Sequence, residues 1–485
     1  MTQNNIANEL DKKEQQKETD ALKKKLFFQG ELAWDRMLEQ DRTAAYDFCD
    51  GYKEFLDRAK TEREAAAEIV RHVEGKGFRP LRPESDGGPN VYAINRKKNA
   101  ALAVLGRKPL EEGLRIIVSH IDSPRLDLKQ NPLYEEVELA FLKTHYYGGI
   151  KKYQWVARPL ALHGVLIRGD GSSLDIRIGE EEGEPVLTIL DLLPHLARNA
   201  QYNKKLPDAI IGEKLNALVA ALPFPDKDAK ERFKLQLLQR LHEMYNLVEE
   251  DFISAELELV PAGRARDVGL DRSMVGAYGQ DDRVCAYCSM QALLDTESPP
   301  ETILALFMDK EEIGSEGNTS GKSRFMEDVV VDLFRMAGAA PEEYLVRKAL
   351  MNSRALSADV NGAMDPDYQE VHEKRNAAKM GYGVCITKFT GSGGKYNSSD
   401  AHAEYMGWIR RIFNSSNVVW QTGELGKVDE GGGGTLAKYL AEYGMEIVDC
   451  GTALLSMHSP FEIAHKADIY MTYKAFHAFL SAQRE

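Results

Sequence analysis

Residues able to hold a cation stand where the apolar runs of this sequence stop. "LRIIVSHID" ends in His120 and Asp122, "ILALFMDKEE" in Glu311 and Glu312, "RALSAD" in Asp359, and "VDCGTALLSMHS" leads to His458. Just before a predicted helix, "AYGQDDRV" adds Asp281 and Asp282. Open α/β sheets collect functional groups at the carboxyl ends of their strands, so residues distant in the chain meet in one crevice. Imidazole and carboxylate together suit zinc, with cobalt or manganese as alternatives, and the lack of nearby thiolates argues against a closed structural site. A pair of hydrolytic metals about 3.5–4 Å apart needs a shared carboxylate plus a histidine and a carboxylate for each ion, and this set supplies them.

Side chains two apart on a strand share a face, so Asp122 can stand behind His120 and accept its distal N–H, which fixes the ring as a ligand. Adjacent Glu311 and Glu312 diverge instead, leaving one carboxylate for metal and the other for a water. Each residue alone has a plainer reading. His120 can be a hydrogen-bonded structural histidine, Asp281 and Asp282 can cap a helix, and Glu311 with Glu312 can form a solvated turn. His458 can be a polar residue ahead of the amphipathic helix that carries Ile469, Tyr473, Phe476 and Leu480. The plainer readings must hold independently at every position, whereas one metal site accounts for the set.

The elements that must position these residues follow from periodicity. At 485 residues the chain is long enough for two domains. Residues 1–25 read as a polar N-terminal arm. From about residue 30 to 78, Ala, Glu, Leu and Arg dominate and predict helices, and the first buried strand follows at "LRIIVSH". Residues 131–265 change character: "ALHGVLIRGDGSSLDIRIGEEEGEPVLTIL" alternates β-formers with turn residues, and "KERFKLQLLQRLHEMYNL" is one amphipathic helix. Beyond it, short apolar runs alternate with helical patterns. The expected architecture is α/β, a mixed sheet sandwiched by helices over 26–130 and 266–485, interrupted by an inserted β-rich domain at 131–265.

Composition narrows the partners. Lys and Arg number 62 against 76 Asp and Glu, a net charge of −14, which argues against nucleic acid or an anionic membrane. No run of about 18 apolar residues is present, and the N-terminus has no signal-peptide pattern. The five scattered cysteines read as reduced thiols of a cytoplasmic protein. "FTGSGGKYNSS" is not a phosphate-binding loop, because Phe389 and Tyr396 stand where such a loop needs Gly and Ser or Thr around Lys395. In "KVDEGGGGTLAKYL", Gly433 and its neighbours precede a predicted helix, where backbone N–H groups can meet substrate or simply make a tight turn.

"HIDSPRLDLK", "YGQDDR", "DKEEIGS", "SAD" and "SMHSPFE" occur in that order, and together the chain resembles the aspartyl aminopeptidase family of co-catalytic zinc exopeptidases from about residue 30 onward. The resemblance implies that Asp281 bridges two zinc ions, that His120 and Asp359 complete one site, and that Glu312 and His458 complete the other. Glu311 is then the general base, with Asp122 in support. It also implies that the inserted domain mediates dimerisation, that the chain assembles into a homo-oligomer, typically a dodecamer, and that substrates are short peptides. His195, in "LLPHLARN", resembles an inserted-domain histidine that reaches a neighbour's active site.

Some family members read "SADxxHAxHP" where this chain reads "SADVNGAMDP", with Gly362 and Asp365, so it looks more like a bacterial branch and its preference for an acidic N-terminal residue is open. Lys395 is a candidate substrate contact. The expected activity is removal of N-terminal residues from short peptides. A related dinuclear amidohydrolase, such as a carboxypeptidase or deacylase, and an inert scaffold paralogue are the alternatives.

Overall fold

Apolar side chains at nearly every position of "IIV" and "ILALFM" leave these strands no solvent face, and both lie at the centre of a sheet covered on two sides. The computed structural model describes residues 3–28, 30–82 and 88–483, with side chains from residue 12. Residues 1 and 2 of the expected arm lie outside the described residues; Gln3–Leu26 is one helix, exposed at every described side chain. Among the described residues the strands form sheets of nine, seven and five members.

Four strands form the middle of the nine-stranded sheet: β1 (Arg115–His120), β2 (Ile303–Met308), β3 (Arg354–Ser357) and β4 (Glu446–Gly451). They run parallel in the order β2-β1-β3-β4, flanked by antiparallel neighbours Asn99–Val104 and Val384–Thr387, so the sheet is mixed. Strand periodicity sends alternate residues to opposite faces. Ile117, Ala305 and Phe307 pack with helices α1 (Gln280–Leu294) and α2 (Lys466–Ser481) on one face. Ile116, Val118, Leu304 and Leu306 pack on the other with Phe325–Met336 and Glu343–Met351. The result is a three-layer α/β/α sandwich.

The seven-stranded antiparallel sheet is built entirely from residues between β1 and α1, from Arg125 to Pro261, around its own core of Leu126, Leu142, Trp155, Leu160 and Leu259. The compositional change at residue 131 falls inside its strand Arg125–Glu136. Arg125, Asp127 and Lys129 open that strand with charges and hide its start from a hydrophobicity reading. The amphipathic helix of this region is Arg232–Tyr245. A small third sheet pairs Met274–Ala277 with Glu462–His465 and joins α1 to the segment carrying His458.

Candidate metal centre

The parallel strands bring their ends to one side. His120 is the last residue of β1, in register with Met308 at the end of β2. Glu311 and Glu312 follow β2 in a single 3-10 turn, Glu311–Ile313, between left-handed Lys310 (φ 68°) and Gly314 (φ 90°). That turn rotates successive side chains by about 120°, so the two carboxylates point in different directions. Asp359 stands two residues past β3. Asp281 and Asp282 begin α1 with non-helical backbone and a cis peptide between them. His458 lies in the turn between Ala453–Leu455 and Glu462–His465, itself left-handed at φ 63°.

Asp281 stands between the two imidazoles. Its Oδ1 is 3.2 Å from His120 Nε2 and its Oδ2 is 3.2 Å from His458 Nε2. Glu312 Oε2 is 3.5 Å from the same His458 nitrogen. The distal ring nitrogens are also occupied: His120 Nδ1 lies 3.0 Å from the Asp122 carbonyl and 3.4 Å from its carboxylate, and His458 Nδ1 lies 2.9 Å from the Gly149 carbonyl. Each Nδ1–H therefore donates outward, which leaves Nε2 facing the acids: it donates to them in the metal-free cluster and would offer its lone pair to a cation that displaces that proton. The Asp122 carboxylate gathers further donors, accepting the backbone N–H groups of Glu311 and Glu312 at 3.1 Å each and the Tyr147 hydroxyl at 2.8 Å.

Buried negative charge dominates the electrostatics. Burial, reinforced by neighbouring acids and only partly offset by the histidines, pushes Glu312 and Asp359 well above the usual carboxylate range and Glu311 up to about 7. For Asp281 burial acts upward too, but hydrogen bonds from His120 and His458 outweigh it and hold the group down. Burial would lower His458, yet Asp281 and Glu312 raise it to about 11.

Donor atoms of His120, Asp281 and Glu312 fall within 4.8 Å of one another, and the buried Glu312 Oε1 has no hydrogen-bond partner among the described residues. An acid-rich cluster of imidazole nitrogens and carboxylate oxygens with an orphaned oxygen fits divalent cations of the zinc type.

These groups line a cleft of about 520 Å³, together with Glu311, Asp359, Phe389, Lys395, Gly433 and Asp449. Lys395 is tied to Asp400 at 2.8 Å and lies over the Phe389 ring. Gly433 accepts the Gly391 N–H at 2.6 Å; the next helix is only Ala437–Ala441, so the glycine run forms a loop wall and not a helix N-terminus. His195 is exposed in the turn Pro194–Leu196 and does not line this cleft, nor do Gly362 and Asp365.

Some supporting residues escape a reading of strand ends. Glu462 uses one carboxylate oxygen for the Asp281 N–H (3.1 Å) and the other for the His458 N–H (2.7 Å). It lies in "SMHSPFE", so the motif contains it, but its role depends on backbone contacts across the molecule. Tyr147 ends a strand of the seven-stranded sheet and Gly149 lies just past it, where no local signal points to a metal.

The family model described as Aminopeptidase I zinc metalloprotease (M18) matches residues 55–480. A probable M18 family aminopeptidase 1 from Clostridium acetobutylicum is 48% identical over 455 residues, covering 93% of this chain and 97% of its own. The crystal structure of an M18 family aminopeptidase from Thermotoga maritima superposes with a TM-score of 0.90 at 45% identity, over 94% of this chain and 100% of that one. The S. cerevisiae mApe1 dodecamer structure shares the fold at 21% identity, with a TM-score of 0.70 over 90% of this chain and 96% of that one. Sequence, fold and donor set thus agree that this chain belongs to the M18 family of zinc aminopeptidases, the aspartyl aminopeptidase family.

Proposed function

We propose that the cleft holds two zinc ions and removes N-terminal residues from short peptides, with Glu311 as general base. Asp281 carries the reading, since its two oxygens face two different histidines at 3.2 Å. His120 and Asp359 would complete one ion's ligands, and Glu312 and His458 the other's, with Asp281 shared. Bound zinc supplies Lewis acidity toward a carbonyl oxygen and lowers the pKa of water.

The chain's own residues do the rest. Asp122 and Gly149 hold the two imidazoles in the tautomer that presents Nε2. Glu311, which lines the cleft beside the ligand residues without being assigned to either ion, would take a proton from water as its oxygen adds to the scissile carbonyl carbon. The same carboxyl then returns that proton to the amine as the C–N bond breaks. Lys395 and Gly433 form part of the wall against which substrate would lie.

We read the Arg125–Pro261 sheet as a dimerisation domain inserted in a catalytic domain, supported by the exposed Leu190, Leu192, Leu193 and Leu196. Likeness to the mApe1 dodecamer supports a dodecamer, in which His195 would reach a neighbour's cleft. Among the described residues no helix is long and apolar enough to cross a membrane, and all five cysteines are unpaired, which supports a reducing, cytoplasmic setting.

The test is metal analysis coupled to assay. Stripped protein reloaded with zinc should bind two ions per chain and regain hydrolysis of a free-amine peptide but not of its N-acetylated form. One ion per chain, or equal cleavage of the blocked peptide, refutes the proposal.

A further inference from the structure

Three successive residues at the end of one strand of the seven-stranded sheet touch three different residues of the metal centre. The strand Leu139–Tyr147 closes on Tyr147, and Gly148 and Gly149 follow it directly, completing "YGG". Tyr147 donates its hydroxyl to Asp122 Oδ2 at 2.8 Å. Gly148, in the left-handed region at φ 71°, sits so close to Glu312 that an added Cβ would lie 3.3 Å from the Glu312 Cβ and 3.4 Å from its Oε2. Gly149 accepts from His458 Nδ1 at 2.9 Å, and an added Cβ there would lie 3.3 Å from that nitrogen.

We infer that Tyr147, Gly148 and Gly149 form a positioning segment by which the seven-stranded sheet sets the geometry of the metal centre, acting through Asp122, Glu312 and His458. The inference rests on the reading of Glu312 and His458 as zinc ligands.

Each contact restrains a different freedom. The Tyr147 hydroxyl fixes the rotation of the Asp122 carboxylate, whose other acceptor positions hold the Glu311 and Glu312 backbone. Gly148 gives Glu312 its room: a side chain there would be strained at φ 71° and would press on Glu312. The Gly149 carbonyl selects the His458 tautomer and ring plane, a task the half-exposed ring cannot leave to packing. Tyr147 is in turn held by its own sheet: Arg125 lies 3.9 Å from its ring centroid, and Arg125 is anchored at 3.1 Å to Glu258. A shift of this strand would therefore move a ligand and the support of two others together.

The experiment compares zinc-loaded wild type with Tyr147→Phe, Gly149→Ala and His458→Ala, following zinc release to a competing chelator and the melting of each metal-free protein. Tyr147→Phe keeps the ring over Arg125, and Gly149→Ala retains the carbonyl while crowding the imidazole. Both are expected to hold zinc about 10–100-fold more weakly than wild type, with metal-free melting unchanged. Zinc retention equal to wild type in both variants, while His458→Ala loses metal, overturns the inference and leaves the ligand reading standing. A drop in metal-free melting with normal zinc retention assigns the segment a purely structural role and also overturns it. Should His458→Ala itself retain zinc as wild type does, the ligand reading fails and the inference falls with it.

Discussion

Glu462 and Asp281 are joined side chain to backbone: Glu462 Oε2 accepts the Asp281 N–H at 3.1 Å, and its Oε1 accepts the His458 N–H at 2.7 Å. One buried carboxylate thus sets the distance between the acid facing both imidazoles and one of those imidazoles. Replacing it by Gln turns one acceptor into an NH2 group that confronts a backbone donor. Glu462→Gln is expected to weaken zinc retention and lower kcat by at least about tenfold; unchanged values in chelator competition and steady-state assay would remove Glu462 from the support of the site.

Glu311 and Glu312 separate in their effects. Glu311→Ala is expected to bind zinc as wild type does and lose about 10²–10⁴-fold in turnover, the range for a general base. Glu312→Ala is expected to lower zinc content itself. Full turnover in the first variant, or full metal content in the second, contradicts the assigned roles.

Acid stability has an identifiable contributor far from the cleft. Asp267 Oδ1 is 2.7 Å from Lys53 Nζ and 2.9 Å from Lys466 Nζ, with Lys466 almost wholly buried. Burial acts upward on Asp267, but its bonds to the two lysines outweigh that and bring it down to about 2 from the usual 3.8. A folded pKa below the unfolded one contributes stability that is present above about pH 4 and fades as pH falls through about 2. Asp267→Asn is expected to cost about 3 kcal/mol near neutrality by leaving the Lys466 ammonium buried without its anion. In denaturant titrations from pH 7 to 2, its deficit against wild type should narrow at the acid end; a constant deficit would exclude the ion pair as the cause.

The exposed leucines near His195 predict assembly behaviour. Leu193 is 51% and Leu196 65% exposed in the single chain. Leu193→Asp combined with Leu196→Asp should yield particles smaller than wild type in light scattering, without a change in the far-ultraviolet circular dichroism. Particles of wild-type mass would place the subunit contacts elsewhere.

What could be read in advance follows from the reach of each signal. His120 and the Glu311–Glu312 pair were legible because uninterrupted apolar runs end at them, and a buried parallel strand must deliver its last residues to the same edge as its neighbours. The central sheet was legible for the same reason. Arg125 was not, since charged residues open its strand and look like a loop. Tyr147 and Gly149 were invisible as site residues because their contacts join two sheets that no periodicity relates. Glu462 is intermediate: it sits four residues from His458, but only the folded chain shows that its carboxylate is saturated by two backbone donors.

His120 ends a strand of the central sheet, whereas His458 hangs from a turn in the small third sheet, and no covalent cross-link joins them. Cations held between them would act as a clasp across that seam. Withdrawing the ions leaves only direct imidazole–carboxylate contacts across the seam, so the stripped protein is expected to open there first and to be cut by proteases near residues 456–461 at rates the loaded protein does not show.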